Sequence, residues 1–327
     1  ASLPADEVER MFKVLRQLRQ RGVGMIYVSH RLDEIFRIAD RVAVLRDGKL
    51  VGTQQVKHTT PAELVSMIVG REVKDLYVRA TENKGTETLR VDNFATAGGG
   101  PVSFSAYKGQ VLGLVGLRGA GHEAVGRALF GAQASTGSVK LEGVALNLTS
   151  PQKALEQGIG LVARDRTEES VALSLSVREN TFINPLAIGR TLMSFLSPGQ
   201  EAEEARAIGA DMGLRPNDPH LAVEALSGGN QQKVVVGRWL ATGRKVLIAE
   251  DPTAGVDVGA KSDIYRLIVQ ALEKGLTVIV VSTDFEEVAH ICNRALVFSR
   301  GHIVAELQQD NLSTEALIHA ASASEAA

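Results

Sequence analysis

Residues 226–257 read LSGGNQQKVVVGRWLATGRKVLIAEDPTAGVD. Ser227, Gly228 and Gly229 stand before a helix expected through Gln231 to Leu240. A hydroxyl and the first free N–H groups of a helix make an anion-binding terminus, although two glycines beside a serine also suit a plain flexible cap. The run KVLIAE that follows is an apolar strand ending in Glu250 and Asp251. Paired carboxylates at a strand end can orient Mg2+ and water beside a phosphate.

Upstream, residues 113–131 read GLVGLRGAGHEAVGRALFG. Gly116, Gly119 and Gly121 have the spacing of a phosphate loop, in which glycines turn backbone N–H groups toward an anion. His122 stands where a phosphate-binding Lys belongs, and Glu123 where a Mg2+-binding hydroxyl belongs. An imidazole is largely neutral near pH 7 and shorter than Lys. Glu123 brings negative charge toward phosphate oxygens unless it binds the metal.

Working outward, the 327 residues suffice for two domains, and 44% apolar with 23% charged residues is ordinary soluble composition. A formal charge of −2 argues against a nucleic-acid partner. Cys292 is the single cysteine, which excludes an intrachain disulfide framework and suits a reducing compartment. Apolar runs such as LTVIVVS at 276–282 are too short to span a bilayer, and the first residues lack a signal-peptide pattern. An intracellular chain that does not cross the membrane is expected.

Residues 22–52 align without a gap on residues 275–305 at a constant offset of 253. Gly22 meets Gly275, Ser29 meets Ser282, Glu34 meets Glu287, Arg41 meets Arg294 and Gly48 meets Gly301. Each copy reads as a helix, an apolar strand ending in Ser plus one residue, an amphipathic helix and a hairpin. Extended backwards, the offset sets Ala1 opposite Ala254; about 165 residues of the second copy, from roughly Leu89 to Thr253, precede that point and none of the first. The expected division is therefore 1–78 as the C-terminal remnant of a first domain, 79–88 as a polar linker and 89–327 as a second domain.

The segment LSGGNQQ, the acidic strand end and PTAGVD resemble the signature and Walker B region of ATP-binding cassettes. With DRVAVLRDGKLVG in the first copy and ARDRTEE at 163–169, the chain is similar to the two-domain ATPases of ribose, xylose, arabinose and galactose importers. This resemblance implies an α/β fold of the P-loop nucleoside triphosphate hydrolase class, cassette type, with a helical subdomain. It also implies ATP and Mg2+ as cofactors and integral-membrane permease subunits as partners, fed by a periplasmic or extracellular sugar-binding protein. The place would be the cytoplasmic face of the plasma (inner) membrane, held peripherally, with no nucleic acid.

By position, the resemblance assigns Gly116, Gly119, Gly121, His122 and Glu123 to the phosphate loop. It assigns Ser227, Gly228, Gly229, Asn230 and Gln231 to the signature and Asp257 to the D-loop. Glu250 stands where the metal-side Asp is usual and Asp251 where the catalytic Glu is usual; Glu250 and Glu123 are the candidate metal ligands. His30 matches the switch histidine, and the second copy has Thr283 there. These departures point to a degenerate second cassette that lends its signature to a composite site completed by a missing N-terminal cassette segment. Arg164, Asp165 and Arg166 fall in a loop that contacts the membrane subunit or pairs charges at the surface. A regulatory or structural cassette subunit and a nucleic-acid-associated ATPase are the rival readings.

Overall fold

In the computed structural model, the described residues are 5–29, 32–46, 48–70, 85–183 and 197–323. His30, residues 71–84 with most of the expected linker, and most of the apolar segment 185–199 lie outside them. Two units are present: residues 1–77 with 255–262, and residues 78–254 with 263–327.

The first unit contains α1 (Ala5–Gln20), α2 (Leu32–Ile38), β1 (Arg41–Arg46), β2 (Lys49–Gln55) and α3 (Pro61–Val69). β1 and β2 form a two-stranded antiparallel hairpin. Thr60 caps α3 with a reciprocal capping box to Glu63, and Gly70 closes it in the left-handed conformation.

The second unit starts with β3 (Glu87–Thr96), β4 (Gly99–Tyr107), β5 (Val111–Gly116), α4 (His122–Leu129), β6 (Ser135–Leu141) and β7 (Val144–Ala145). Next come α5 (Pro151–Glu156), β8 (Ile159–Val162), α6 (Arg166–Glu169), α7 (Val177–Thr181), α8 (Pro198–Asp211) and α9 (Gly228–Leu240). It continues through β9 (Val246–Glu250), α10 (Val258–Glu273, of which residues 258–262 count with the first unit), β10 (Thr277–Ser282), α11 (Phe285–Ile291), β11 (Arg294–Ser299), β12 (His302–Gln308) and α12 (Thr314–Ala323).

The main sheet has the order β12-β11-β5-β10-β9-β8, parallel except for the β11–β12 hairpin. β5, β9, β10 and β11 are buried along their whole length, which is why they read as continuous apolar runs rather than alternating ones. A second, antiparallel sheet runs β4-β3-β6-β7. Val177, Leu214, Val223, Leu226 and Val234 form a separate apolar cluster that makes a small helical subdomain around α7 and α9. This is the expected α/β cassette fold of the P-loop class.

The sequence repeat is matched element by element. α1 corresponds to α10, α2 to α11, β1 to β11 and β2 to β12, each at the same offset of 253. Even the hairpin irregularities correspond, between Val44 and Leu45 and between Val297 and Phe298.

One expected element does not form. The sequence predicts an apolar strand ending at His30; its described residues 24–29 carry no regular structure, whereas Thr277–Ser282 is a strand in the second copy. β10 lies between β5 and β9 and takes its ladder from both. Among the described residues, 24–29 have no corresponding pair of strands, and Ile26 and Val28 stand 95% and 91% exposed. A strand is made by its neighbours, and the apolar pattern alone does not supply them.

Candidate nucleotide site

In a parallel sheet the chain enters its loops at the carboxyl ends of the strands, and ligands gather there. The loop after β5, Arg164 after β8, Asp251 after β9 and Thr283 after β10 meet at that edge.

The loop after β5 has the backbone of a phosphate loop. Gly119 and Gly121 have φ of +80° and +105°, and Gly121 is the N-cap of α4. Only glycine fits at Gly121, because a Cβ there would lie 2.7 Å from Gly301 Cα and 2.9 Å from the Gly98 carbonyl oxygen. Gly116 is similarly constrained: its Cβ would stand 2.7 Å from the Phe298 carbonyl oxygen and 3.2 Å from His122 Nδ1.

His122 does not reach outward as a phosphate-binding Lys would. Its ring is fully buried at the base of the loop, 6.1 Å from the Phe298 ring, and neither ring nitrogen has a hydrogen-bond partner. Burial lowers its pKa to about 4, so the imidazole is neutral. The loop thus lacks the cation that the first helical position would carry.

Glu123 turns back onto its own loop. Its Oε2 accepts from the Gly119 N–H at 3.2 Å, and its Oε1 accepts from Arg164 Nη1 at 2.6 Å. Burial raises this carboxyl, but the Arg164 and Gly119 bonds outweigh it and leave it below its ordinary range. The other face of the Arg164 guanidinium places Nε 2.5 Å from Asp251 Oδ2, a charge contact without the alignment of a hydrogen bond. Burial depresses Arg164, and its two carboxylates overcome this to raise it.

Asp251 is held from three sides. Besides Arg164, its Oδ1 accepts from Ser282 Oγ at 2.8 Å and from the Thr283 N–H at 3.2 Å. Its φ of +40° is the left-handed region, uncommon for a residue other than glycine. Ser282 Oγ also lies 3.1 Å from Glu287 Oε2, within hydrogen-bond distance, and the Glu287 carboxylate accepts from Thr253 as well. Ser29 makes the same contact with Glu34 in the first unit.

Glu250 is 3% exposed. Its Oε2 lies 2.6 Å from Arg127 Nη2 and accepts from the Arg164 main-chain N–H at 3.2 Å. Burial pushes this carboxyl up and Arg127 pulls against it, with a net rise. Arg127 is also bidentate to Glu169, the bond that does most to raise its pKa.

The donor set therefore does not fit a divalent cation. Glu250 and Glu123, the two candidate ligands, each have an arginine on them, so neither carboxylate is free to take a cation. Magnesium needs near-octahedral oxygen ligands free to face it.

The signature segment has a different character. Ser227 is the N-cap of α9, so the helix begins at Gly228, before the position expected from sequence. Its exposed hydroxyl accepts from the Asn230 N–H, and Asn230 Nδ2 donates to it at 2.9 Å. The first helical N–H groups have no intrahelical partner. Below this open end the helix is pinned by buried polar side chains. Gln231 donates to the Val223 and Leu226 carbonyls, Gln232 to the Pro252 carbonyl at 2.8 Å, and Arg238 to the Asn180 and Ser170 carbonyls. Gln231, assigned to ATP by resemblance, is thus turned inward. Asp257, in the first unit, caps the start of α10 through the Ala260 N–H.

Sequence reasoning missed Arg127 and placed Arg164 at the surface or against a membrane subunit. Arg164 follows an apolar strand by two residues, which was the available signal that it belongs at the ligand edge.

Comparison with known proteins agrees with this geometry. Residues 100–254 match the family model described as ABC transporter. The chain is 38% identical over 323 residues to the ribose import ATP-binding protein RbsA of Geobacillus kaustophilus, covering 98% of this chain and 65% of that protein. It is 39% identical over 312 residues to the arabinose import ATP-binding protein AraG of Vibrio parahaemolyticus, covering 94% and 62%. The chain thus spans a little under two thirds of the length of these relatives. An ATP-binding cassette of an ABC transporter in its ADP conformation superposes with a TM-score of 0.60 at 22% identity, over 72% of this chain and 95% of that one. A nucleotide-free cassette gives 0.59 at 23%, over 72% and 96%; both show the fold. With a phosphate-loop backbone, a capped signature helix and an acidic strand end at one sheet edge, the chain carries an ATP-binding cassette domain of ABC transporter type and is a homologue of the ribose and arabinose import ATP-binding proteins.

Proposed function

We propose that the chain acts in an ATP-binding subunit that energises import of a monosaccharide through an ABC transporter. Its part is to present the signature segment to a composite site whose phosphate loop belongs to another cassette. The observation that carries this is the contrast within one domain: the α9 terminus is open and firmly anchored, whereas the domain's own phosphate loop is engaged by its own side chains.

On this reading ATP lies between Ser227, Gly228 and Gly229 and the loop of the facing cassette, and supplies the phosphoanhydride whose cleavage drives transport. Ser227 Oγ and the first-turn N–H groups bind and orient the terminal phosphate. Gln232 fixes α9 to the residue after the acidic strand end. Mg2+ is placed at that composite site, on ligands from the facing cassette. The partners are that N-terminal cassette segment, permease subunits in the membrane and, through them, a periplasmic or extracellular sugar-binding protein. The place is the cytoplasmic membrane face; among the described residues no helix is long and apolar enough to cross a membrane. His30 is proposed as the switch histidine of the same composite site.

The test is phosphate release by the assembly of this chain with a complete first cassette and permease. Gly228→Asp places a carboxylate at the α9 terminus and abolishes turnover, whereas His122→Ala changes it less than about threefold. A regulatory cassette subunit is the second reading, favoured by the arginine-bound carboxylates; on it, Gly228→Asp leaves turnover intact.

A further inference from the structure

Glu123 and Arg164 together reproduce the ligands that a phosphate loop ordinarily receives. The carboxylate accepts the Gly119 N–H, as a phosphate oxygen would. The guanidinium stands between the Glu123 and Asp251 carboxylates, with 2.6 Å and 2.5 Å contacts, as a bridging cation would. A second guanidinium, Arg127, covers Glu250 and Glu169. His122, beside Gly116, is neutral and buried and offers neither charge nor a free path outward.

A divalent cation entering here would meet two guanidinium charges already paired with the Glu123, Asp251, Glu250 and Glu169 carboxylates. Phosphate oxygens meet a different situation. Arg164 is one-third exposed and can offer its planar N–H fork to phosphate, which guanidinium binds in bidentate fashion. If Arg164 swings to a phosphate, Asp251 keeps its bonds from Ser282 and Thr283, and Glu250 keeps Arg127. Only Glu123 loses its partner, and its side chain is a quarter exposed, where water can replace the lost bonds.

We propose that Arg164 takes the place of the divalent cation in this cassette, so that its phosphate loop receives nucleotide phosphates free of metal, with Glu123 as the tethered anion they displace. This rests on the reading of the domain as a nucleotide-binding cassette. The site charges, four carboxylates against two arginines, make such binding weak, and removing the Glu123 charge strengthens it. The loop is thereby held shut against metal-bound nucleotide while it keeps its fold.

The experiment is equilibrium dialysis of the full chain against radiolabelled ATP, once with excess Mg2+ and once with excess EDTA. The expected result is affinity in EDTA equal to or tighter than in Mg2+, about tenfold tighter binding by Glu123→Gln, and at least about tenfold weaker binding by Arg164→Ala. Arg164→Lys, which keeps the charge, recovers part of the loss. Should Arg164→Ala unfold in a thermal melt, the metal comparison and Glu123→Gln still decide. Binding that falls tenfold or more on chelation, or that weakens in Glu123→Gln, overturns the inference and leaves the cassette reading standing. No binding in any arm, Glu123→Gln included, overturns both.

Discussion

Arg127 and Glu250 are joined at 2.6 Å, tying the helix after the phosphate loop to the end of β9. Glu250 is nearly fully buried, so its charge depends on that guanidinium. Breaking a buried pair from one side leaves the other charge stranded. Arg127→Met is expected to destabilise the domain by about 3 kcal/mol, and the double change with Glu250→Gln to recover at least half of the loss. Denaturant midpoints of the two single variants and the double variant provide the measurement.

His122 makes stability depend on acid. Its pKa is lowered to about 4 in the folded domain, whereas the unfolded chain titrates near the ordinary 6.5. Between these values the unfolded state binds the extra proton, so stability is complete above about 6.5 and falls as the pH drops toward 4. The loss approaches about 3 kcal/mol. His122→Leu removes both unpartnered ring nitrogens and is expected to flatten this part of the pH–stability curve. Guanidinium titrations of both proteins at intervals across the window test it.

Gly119 and Gly121 both have positive φ, yet they will not respond alike. An added Cβ at Gly119 meets open space, while at Gly121 it meets the backbone of Gly301 and Gly98 below 3 Å. Gly119→Ala should cost about 1 kcal/mol, the left-handed backbone term. Gly121→Ala should cost about 3 kcal/mol, since backbone on both sides must yield. Comparing their thermal midpoints checks the ordering.

Gln232 is 3% exposed, and its amide serves both the Pro252 carbonyl and Arg166. Gln232→Leu keeps the volume and removes both bonds, at an expected cost of about 2 kcal/mol from the groups left unsatisfied. An unchanged denaturant slope with a lowered midpoint would locate the effect in the folded state. A midpoint equal to that of the parent would show that α9 is not anchored through this amide.

Much of the cassette was legible in the sequence because it depends on local signals. The apolar runs of β5, β9 and β10 are short, uninterrupted and bounded by turn residues. The glycine spacing at 116–121 and the Ser-Gly-Gly start of α9 have backbone meanings independent of the rest. The partners of the site carboxylates were not legible. Arg164 meets Glu123 across 41 positions and Arg127 meets Glu250 across 123, separations that only the strand order closes. In one dimension, each of these charges resembles a solvated face. The strand expected at 24–29 failed for the complementary reason. Its apolar run aligns on that of β10, with Ile26, Val28 and Ser29 matched by Ile279, Val281 and Ser282, but a ladder is a property of neighbours, and the pattern carries no information about whether they are present.

That run, Gly24 to Ser29, has a practical outcome for handling the chain. An exposed stretch containing Ile26 and Val28, rich in β-forming residues and without charge, is the type of segment that joins chains edge to edge. Chain purified without a partner to cover it will associate as its concentration rises, and its solubility will report on that segment rather than on the cassette. A lysine in place of Ile26 is a gatekeeper charge of the kind that interrupts such pairing. Light scattering across a concentration series should therefore show a monodisperse Ile26→Lys protein where the parent forms larger species.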